Sequence, residues 1–66
     1  MLDRDQTRQR VISGLKKLAS QGTRAEHIAV NLSMSYTTVK NWMSGRRIPK
    51  PPTIRQIEHV YGIKIL

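Results

Sequence analysis

Ile28-Ala29-Val30-Asn31-Leu32-Ser33-Met34-Ser35-Tyr36-Thr37-Thr38-Val39-Lys40-Asn41-Trp42-Met43-Ser44-Gly45-Arg46-Arg47-Ile48-Pro49 is the stretch that decides the fold. Its apolar residues recur at three- and four-residue spacing on either side of Ser33-Met34-Ser35, which predicts two short helices joined by a tight turn. Such a pair can cross at about 90–120°. Ala29 is small where the two axes approach most closely. Ile28, Leu32, Val39 and Trp42 (or Met43) supply apolar contacts on the inner faces, and Met34 is expected to plug the core between the helices. Tyr36, Thr37, Thr38, Lys40 and Asn41 are left facing outward. Each ends in a hydrogen-bonding or cationic group and none is acidic, whereas a face meant only for solvation normally mixes in Glu.

Outward from this pair, the chain is punctuated by caps and glycines. Val11, Ile12, Leu15, Leu18 and Ala19 form a helical stripe that predicts a first helix over about residues 6–20, closed by Gly22. Arg8, Arg10, Lys16 and Lys17 fall on its wetter side. Gly14 weakens this helix by about 1 kcal/mol relative to Ala, and its lack of a side chain invites close approach by another helix. Thr23-Arg24-Ala25-Glu26 reads as a capping box opening the second helix, and Ser35 as the cap of the third, with Gly45 as its stop. The three prolines of Arg46–Pro52 exclude helix there. Thr53-Ile54-Arg55-Gln56 reads as another capping box, for a last helix of Ile54, Ile57, Val60 and Tyr61 ended by Gly62. Ile63-Lys64-Ile65-Leu66 suits a short strand or an apolar tail. The expected architecture is all-α, four to five short helices in one domain spanning 1–66.

The length of 66 residues allows no second domain, and a core this small supplies about 3–5 kcal/mol without a staple. No cysteine is present, so neither a disulfide nor a thiolate zinc site can be that staple. The formal net charge of +8 calls for a polyanionic partner. From His27 to Ile57 there is no Asp or Glu, while Lys40, Arg46, Arg47, Lys50 and Arg55 are present. This one-signed segment suits counterion release from nucleic acid. No apolar run approaches a membrane span, and charge from the third residue onward does not fit a secretory signal, so a cytoplasmic, nucleoid-associated protein is expected.

The quoted stretch, with its Leu-Ser-Met turn, Thr-Val, Trp and Gly-Arg-Arg before a Pro, resembles the helix-turn-helix core of the phage Cro/repressor (XRE-type) family. With the flanking helices the resemblance covers nearly the whole chain. It implies a lambda-repressor-like fold that binds double-stranded DNA. It places Tyr36, Thr37, Thr38, Lys40 and Asn41 at base edges in the major groove, with Asn41 suited to adenine and Lys40 to guanine or a phosphate. Arg24, Arg46, Arg47 and Lys50 fall against the phosphate backbone, joined by the capping residues Thr23 and Ser35. Two positions depart from the family pattern. Ser33 stands where a turn glycine is usual, so a residue with a Cβ must adopt the left-handed conformation. Met43 stands where Glu is common.

Bland roles compete for several of these residues. Trp42, in phase with Val39, is expected in the core; Tyr36 is divided between packing under the turn and contact with DNA. Lys16 and Lys17 read as a solvated face, and Arg4, Arg8 and Arg10, interleaved with Asp3 and Asp5, as exposed helix or a loose arm. His27 and His59 stand far apart with no ligand spacing, and no carboxylate pair, Ser/His/acid set or phosphate loop is present, so no metal, cofactor, small-molecule substrate or catalysis is expected. The expected function is a Cro-like transcriptional repressor of phage or mobile-element type on a palindromic operator. A homodimer is expected, joined by the exposed apolar residues Ile63, Ile65 and Leu66. An excisionase- or antitoxin-like DNA-binding regulator is the near alternative, and a cationic membrane-surface protein the distant one. Two tyrosines and one tryptophan offer few stacking platforms for RNA.

Overall fold

A computed structural model of the chain describes residues 3–66, so Met1 and Leu2, which open the sequence read above for a signal, lie outside the described residues. Four helices follow one another: α1 (Arg4–Ser20), α2 (Ala25–Leu32), α3 (Tyr36–Ser44) and α4 (Pro51–Tyr61). None of them is long and apolar enough to cross a membrane. The core joins all four, with Val11, Leu15 and Leu18 from α1, Ile28, Ala29 and Leu32 from α2, Val39 and Trp42 from α3, and Ile54 and Ile57 from α4. Trp42 is a core residue, as its phase with Val39 implied.

Helix starts explain most of the boundary differences. α1 begins two residues earlier than its apolar stripe suggests, because Asp3 and Gln6 form a reciprocal capping box: the Gln6 N–H donates to the Asp3 carboxylate at 2.7 Å and the Asp3 N–H to the Gln6 side chain at 3.2 Å. Arg4 is thus the first helical residue rather than part of a loose arm. Thr23 does not cap α2. Gly22 adopts φ +95° and the Thr23 N–H donates to the Leu18 carbonyl at 2.9 Å, so Thr23 completes the end of α1, and the extended residue before α2 is Arg24. Thr53 does not cap α4 either. Pro51 and Pro52 occupy its first two positions, where a missing N–H costs nothing because no carbonyl awaits it. The exclusion of helix from those two prolines is therefore corrected; only the segment through Lys50 is irregular.

The turn between α2 and α3 has the strain its sequence implied. Ser33 sits at φ 55°, ψ 41°, the left-handed region. It is the non-glycine residue with positive φ among those described. Its N–H donates to Val30 at 3.2 Å and that of Met34 to Ala29 at 2.8 Å, so two of the last four carbonyls of α2 are satisfied. Met34, expected to plug the core, is instead 36% exposed; its backbone closes the turn, and Ile28, Ala29, Leu32, Val39 and Trp42 fill the space between the helices.

No strand occurs among the described residues, and the tail is not the free apolar edge its composition suggested. Gly62, at φ 62°, ends α4, and the chain returns across α1. A Cβ at Gly14 would stand 3.1 Å from Cγ1 of Ile65, so the close approach Gly14 permits is by the tail and not by a helix. Ile65 is only 4% exposed, while Ile63 and Leu66 are half-buried against the same core. One carboxylate oxygen of Glu58 accepts the N–H of Ile65 at 2.7 Å and of Leu66 at 3.0 Å. These two bonds, that to Leu66 first, hold the Glu58 carboxyl below its ordinary value.

Candidate nucleic-acid interface

The sequence of α3 sets its orientation. Val39 and Trp42 are buried and Met43 packs against the core, so the opposite face presents Tyr36, Thr37, Lys40 and Ser44, with Asn41 at its edge. Ser35 fixes the start of the helix: its hydroxyl accepts the Thr38 N–H at 3.1 Å, a cap that contributes about 1 kcal/mol. The same hydroxyl lies 2.7 Å from that of Thr38. Thr38 is half-buried, as is Asn41, but the engagement of its hydroxyl in the cap sets it apart from the other four residues expected at base edges. Gly45, at φ 81°, stops the helix.

Two recesses flank this face. In the first, of about 310 Å³, Arg24 at the start of α2 meets Tyr36 and Lys40 of α3, beside Glu26 and Met43. No side chain caps α2, so its first N–H groups remain open at the positive end of the helix, next to the exposed Arg24. Tyr36 is 52% exposed and does not pack under the turn. The Lys40 ammonium stands 5.9 Å from the centre of its ring, at the outer reach of a cation–π contact. Glu26 is the one carboxylate in this recess.

The second recess, also about 310 Å³, unites Thr38, Asn41 and Trp42 with Arg47 and Ile48. The Arg47 N–H donates to the Asn41 carbonyl at 3.2 Å, folding the arginine-bearing loop back onto the end of α3. The Arg46 N–H points to the Ser44 hydroxyl at 3.4 Å, and that hydroxyl donates to the Asn41 carbonyl at 3.1 Å. Behind the loop, a Cβ at Gly45 would stand 3.0 Å from Ile12 and 3.2 Å from Arg8, so α1 backs the loop directly. Lys50 is exposed as the residue before α4.

The structure therefore brings Arg24, Tyr36 and Lys40 together, and Asn41 with Arg47. Thr23 is half-buried, with its N–H used to close α1. Ser44 joins the outward face although its sequence position suggested only a helix end; its seven-residue separation from Thr37 is the signal that would have found it. Ile65 is sealed within its own chain. That overturns the premise that Ile63, Ile65 and Leu66 lack neighbours in a single copy.

A helix with an open amino end beside arginine, followed after a tight turn by a helix whose outward face is polar and acid-free, defines a helix-turn-helix DNA-binding module. The chain belongs to the XRE-type helix-turn-helix family, whose model, described as helix-turn-helix, matches residues 15–66. It is accordingly a sequence-specific DNA-binding domain of the kind found in transcription regulators. Comparison with curated proteins and with solved structures gives no match.

Proposed function

We propose that the chain is a Cro-like repressor of phage or mobile-element type that occupies a palindromic operator as a homodimer and excludes polymerase from it. The observation that carries this reading is the α3 face itself, with Thr37, Lys40 and Asn41 presented together and no acidic residue from position 27 to 57. In this reading α3 lies in the major groove, where Asn41 reads adenine, Lys40 a guanine or phosphate, and Tyr36 and Thr37 a neighbouring base edge. Thr38 contributes its methyl group, since its hydroxyl serves the cap. Arg24 and the open start of α2 hold one phosphate; Arg46, Arg47 and Lys50 hold the next ones along the strand, with Thr23 and Ser35 at the margin.

Two arguments favour the dimer. One recognition helix reads about 4–5 base pairs, too little to single out a site among ~10⁶ competitors. The domain also extends 30 × 23 × 21 Å, so two recognition helices one DNA turn (~34 Å) apart require two copies. The two-fold contact is assigned to the half-buried Ile63 and Leu66, with Ile65 anchoring the tail from within its own chain.

Selection of bound duplexes from a random pool tests the reading. The expected product is a palindrome with half-sites about one helical turn apart. Recovery of a single unrepeated half-site would refute the dimer, and recovery of no preferred sequence would refute the base-reading roles.

A further inference from the structure

The chain carries twelve Lys and Arg residues against four Asp and Glu. The DNA interface proposed above uses five of those cations: Arg24, Lys40, Arg46, Arg47 and Lys50. Much of the remainder lies along α1 and the tail. At 100° per residue, Arg10, Gly14 and Lys17 form one flank of α1 and Arg8 and Ile12 the opposite flank, with buried Val11, Leu15 and Leu18 between them. The Arg8–Ile12 flank abuts Gly45, next to Arg46, and the other is met at Gly14 by Ile63 and Ile65. The two cationic surfaces thus lie on opposite sides of α1.

On the tail side Arg10, Ser13, Lys17 and Lys64 line an open groove of about 270 Å³, together with Gly14 and Ile65. No Asp or Glu lines it. The ion pair among the described residues is Arg8–Asp5, on the other flank. Glu58 is near enough to Lys64 to feel its charge, but its carboxylate oxygen is held by the Ile65 and Leu66 amides.

We propose that this groove is a second phosphodiester-binding surface, by which a molecule seated on one duplex captures a second duplex segment; seating on the first rests on the α3 reading. Guanidinium, ammonium and hydroxyl donors are the groups that contact DNA phosphates. An acidic protein partner fits less well, because protein interfaces are anchored by large apolar side chains. The exposed ones, Val30, Met34, Tyr36 and Val60, do not line this groove, and neither do the half-buried Ile63 and Leu66 assigned above to the second copy. Seating on one duplex in DNA-rich surroundings raises the local phosphate concentration, so a weak surface suffices. The two surfaces lie across α1, a helix about 10–12 Å in diameter, so the duplexes stand further apart than the ~8–10 Å screening length and their mutual repulsion is largely screened.

The test loads the full chain onto a bead-bound random-sequence duplex, washes, and adds a labelled duplex. Loading scores the α3 reading and capture scores the groove. The variant R10Q/K17Q/K64Q is expected to load within about twofold of wild type yet capture at least about tenfold less, and each lost phosphate contact should lower the salt slope of capture by ~0.9. R10K/K17R/K64R should restore capture, since it keeps the charges. Undiminished capture by the Gln variant would mean that a second recognition helix holds the second duplex, and would overturn the proposal. A wild type that loads but captures nothing overturns it too. So does displacement of captured duplex by polyglutamate at lower charge concentration than by free duplex, which would mark a carboxylate-bearing protein partner. If wild type fails to load, neither surface holds a duplex and the proposal falls with the α3 reading; if wild type loads and R46A/R47A loads equally well, the α3 reading fails alone.

Discussion

Gly14 and Ile65 form a contact whose energetics can be separated by a double-mutant cycle. Replacing Ile65 by Ala removes a side chain that is 4% exposed. Buried Ile-to-Ala changes cost about 2–5 kcal/mol, and an irregular segment relaxes more easily than a helix, so about 2 kcal/mol is expected. Gly14→Ala carries two opposed terms. Within α1 it gains about 1 kcal/mol of helix propensity. Its new Cβ would stand 3.1 Å from Cγ1 of Ile65, tighter than ordinary contact, so the tail must shift and lose part of its burial. The net effect in the wild-type background is expected between zero and about 1 kcal/mol of destabilisation. In the Ile65→Ala background the obstruction is gone and the same change should stabilise by about 1 kcal/mol. The coupling energy is therefore at least about 1 kcal/mol, well above the additivity of independent sites. Urea unfolding followed through the single, buried Trp42 measures all four corners. Equal stabilisation by Gly14→Ala in both backgrounds would refute the docking of the tail on α1, and with it the groove built from the two.

Other perturbations follow from the same structure. Ser33→Gly relieves a left-handed conformation costing about 1–2 kcal/mol and returns part of that as chain entropy, so the urea midpoint should rise by the equivalent of about 0.5–1 kcal/mol; a fall would contradict the strain. Glu58 has its folded pKa depressed below 4.5 by the Leu66 and Ile65 amides, so its contribution to stability is present above 4.5 and lost as pH falls through the lower folded value. Glu58→Gln should flatten the acid side of the stability–pH curve there, and an unchanged slope would remove the tail clamp. Asn41→Ala should cost about 1–3 kcal/mol on the selected operator and relax preference at one base pair, while Arg46→Ala should weaken all sequences alike with a salt slope smaller by ~1. Equal losses on specific and random DNA for Asn41→Ala would reassign that residue to the backbone. Glu26→Gln removes the carboxylate beside Arg24 and Lys40 and should raise affinity for any duplex by about two- to fivefold in a filter-binding or anisotropy titration. Unaltered affinity would place the phosphate path elsewhere.

The middle of the chain was legible because local signals and packing agree there. Ser35, Val39, Trp42 and Gly45 each point to the same helix, with the same bounds and the same buried face. The errors fall where one residue had two local roles available. Thr23 can cap α2 or finish α1, and the Gly22 turn decides for the latter by claiming its N–H. Pro51 and Pro52 break a helix in its interior but suit its first turn. Met34 looked like core by hydrophobicity alone, yet the turn needs only its backbone. Ile65 looked exposed because nothing local says where a four-residue tail goes. Its position follows from Gly14 and Glu58, 51 and 7 residues away in the chain, and neither residue type announces such a partner.

The domain, which has no cysteine, returns its tail to α1, and the return sets Lys64 beside Arg10 and Lys17. On the other flank of the same helix, Ile12 and Arg8 abut Gly45 and back the loop that carries Arg46 and Arg47. α1 contributes no residue to the proposed base contacts, yet both cationic surfaces are built against it. Small shifts of α1 should therefore register in phosphate contacts on both sides and, through the core that Val11, Leu15 and Leu18 share with Val39 and Trp42, in the setting of α3 as well.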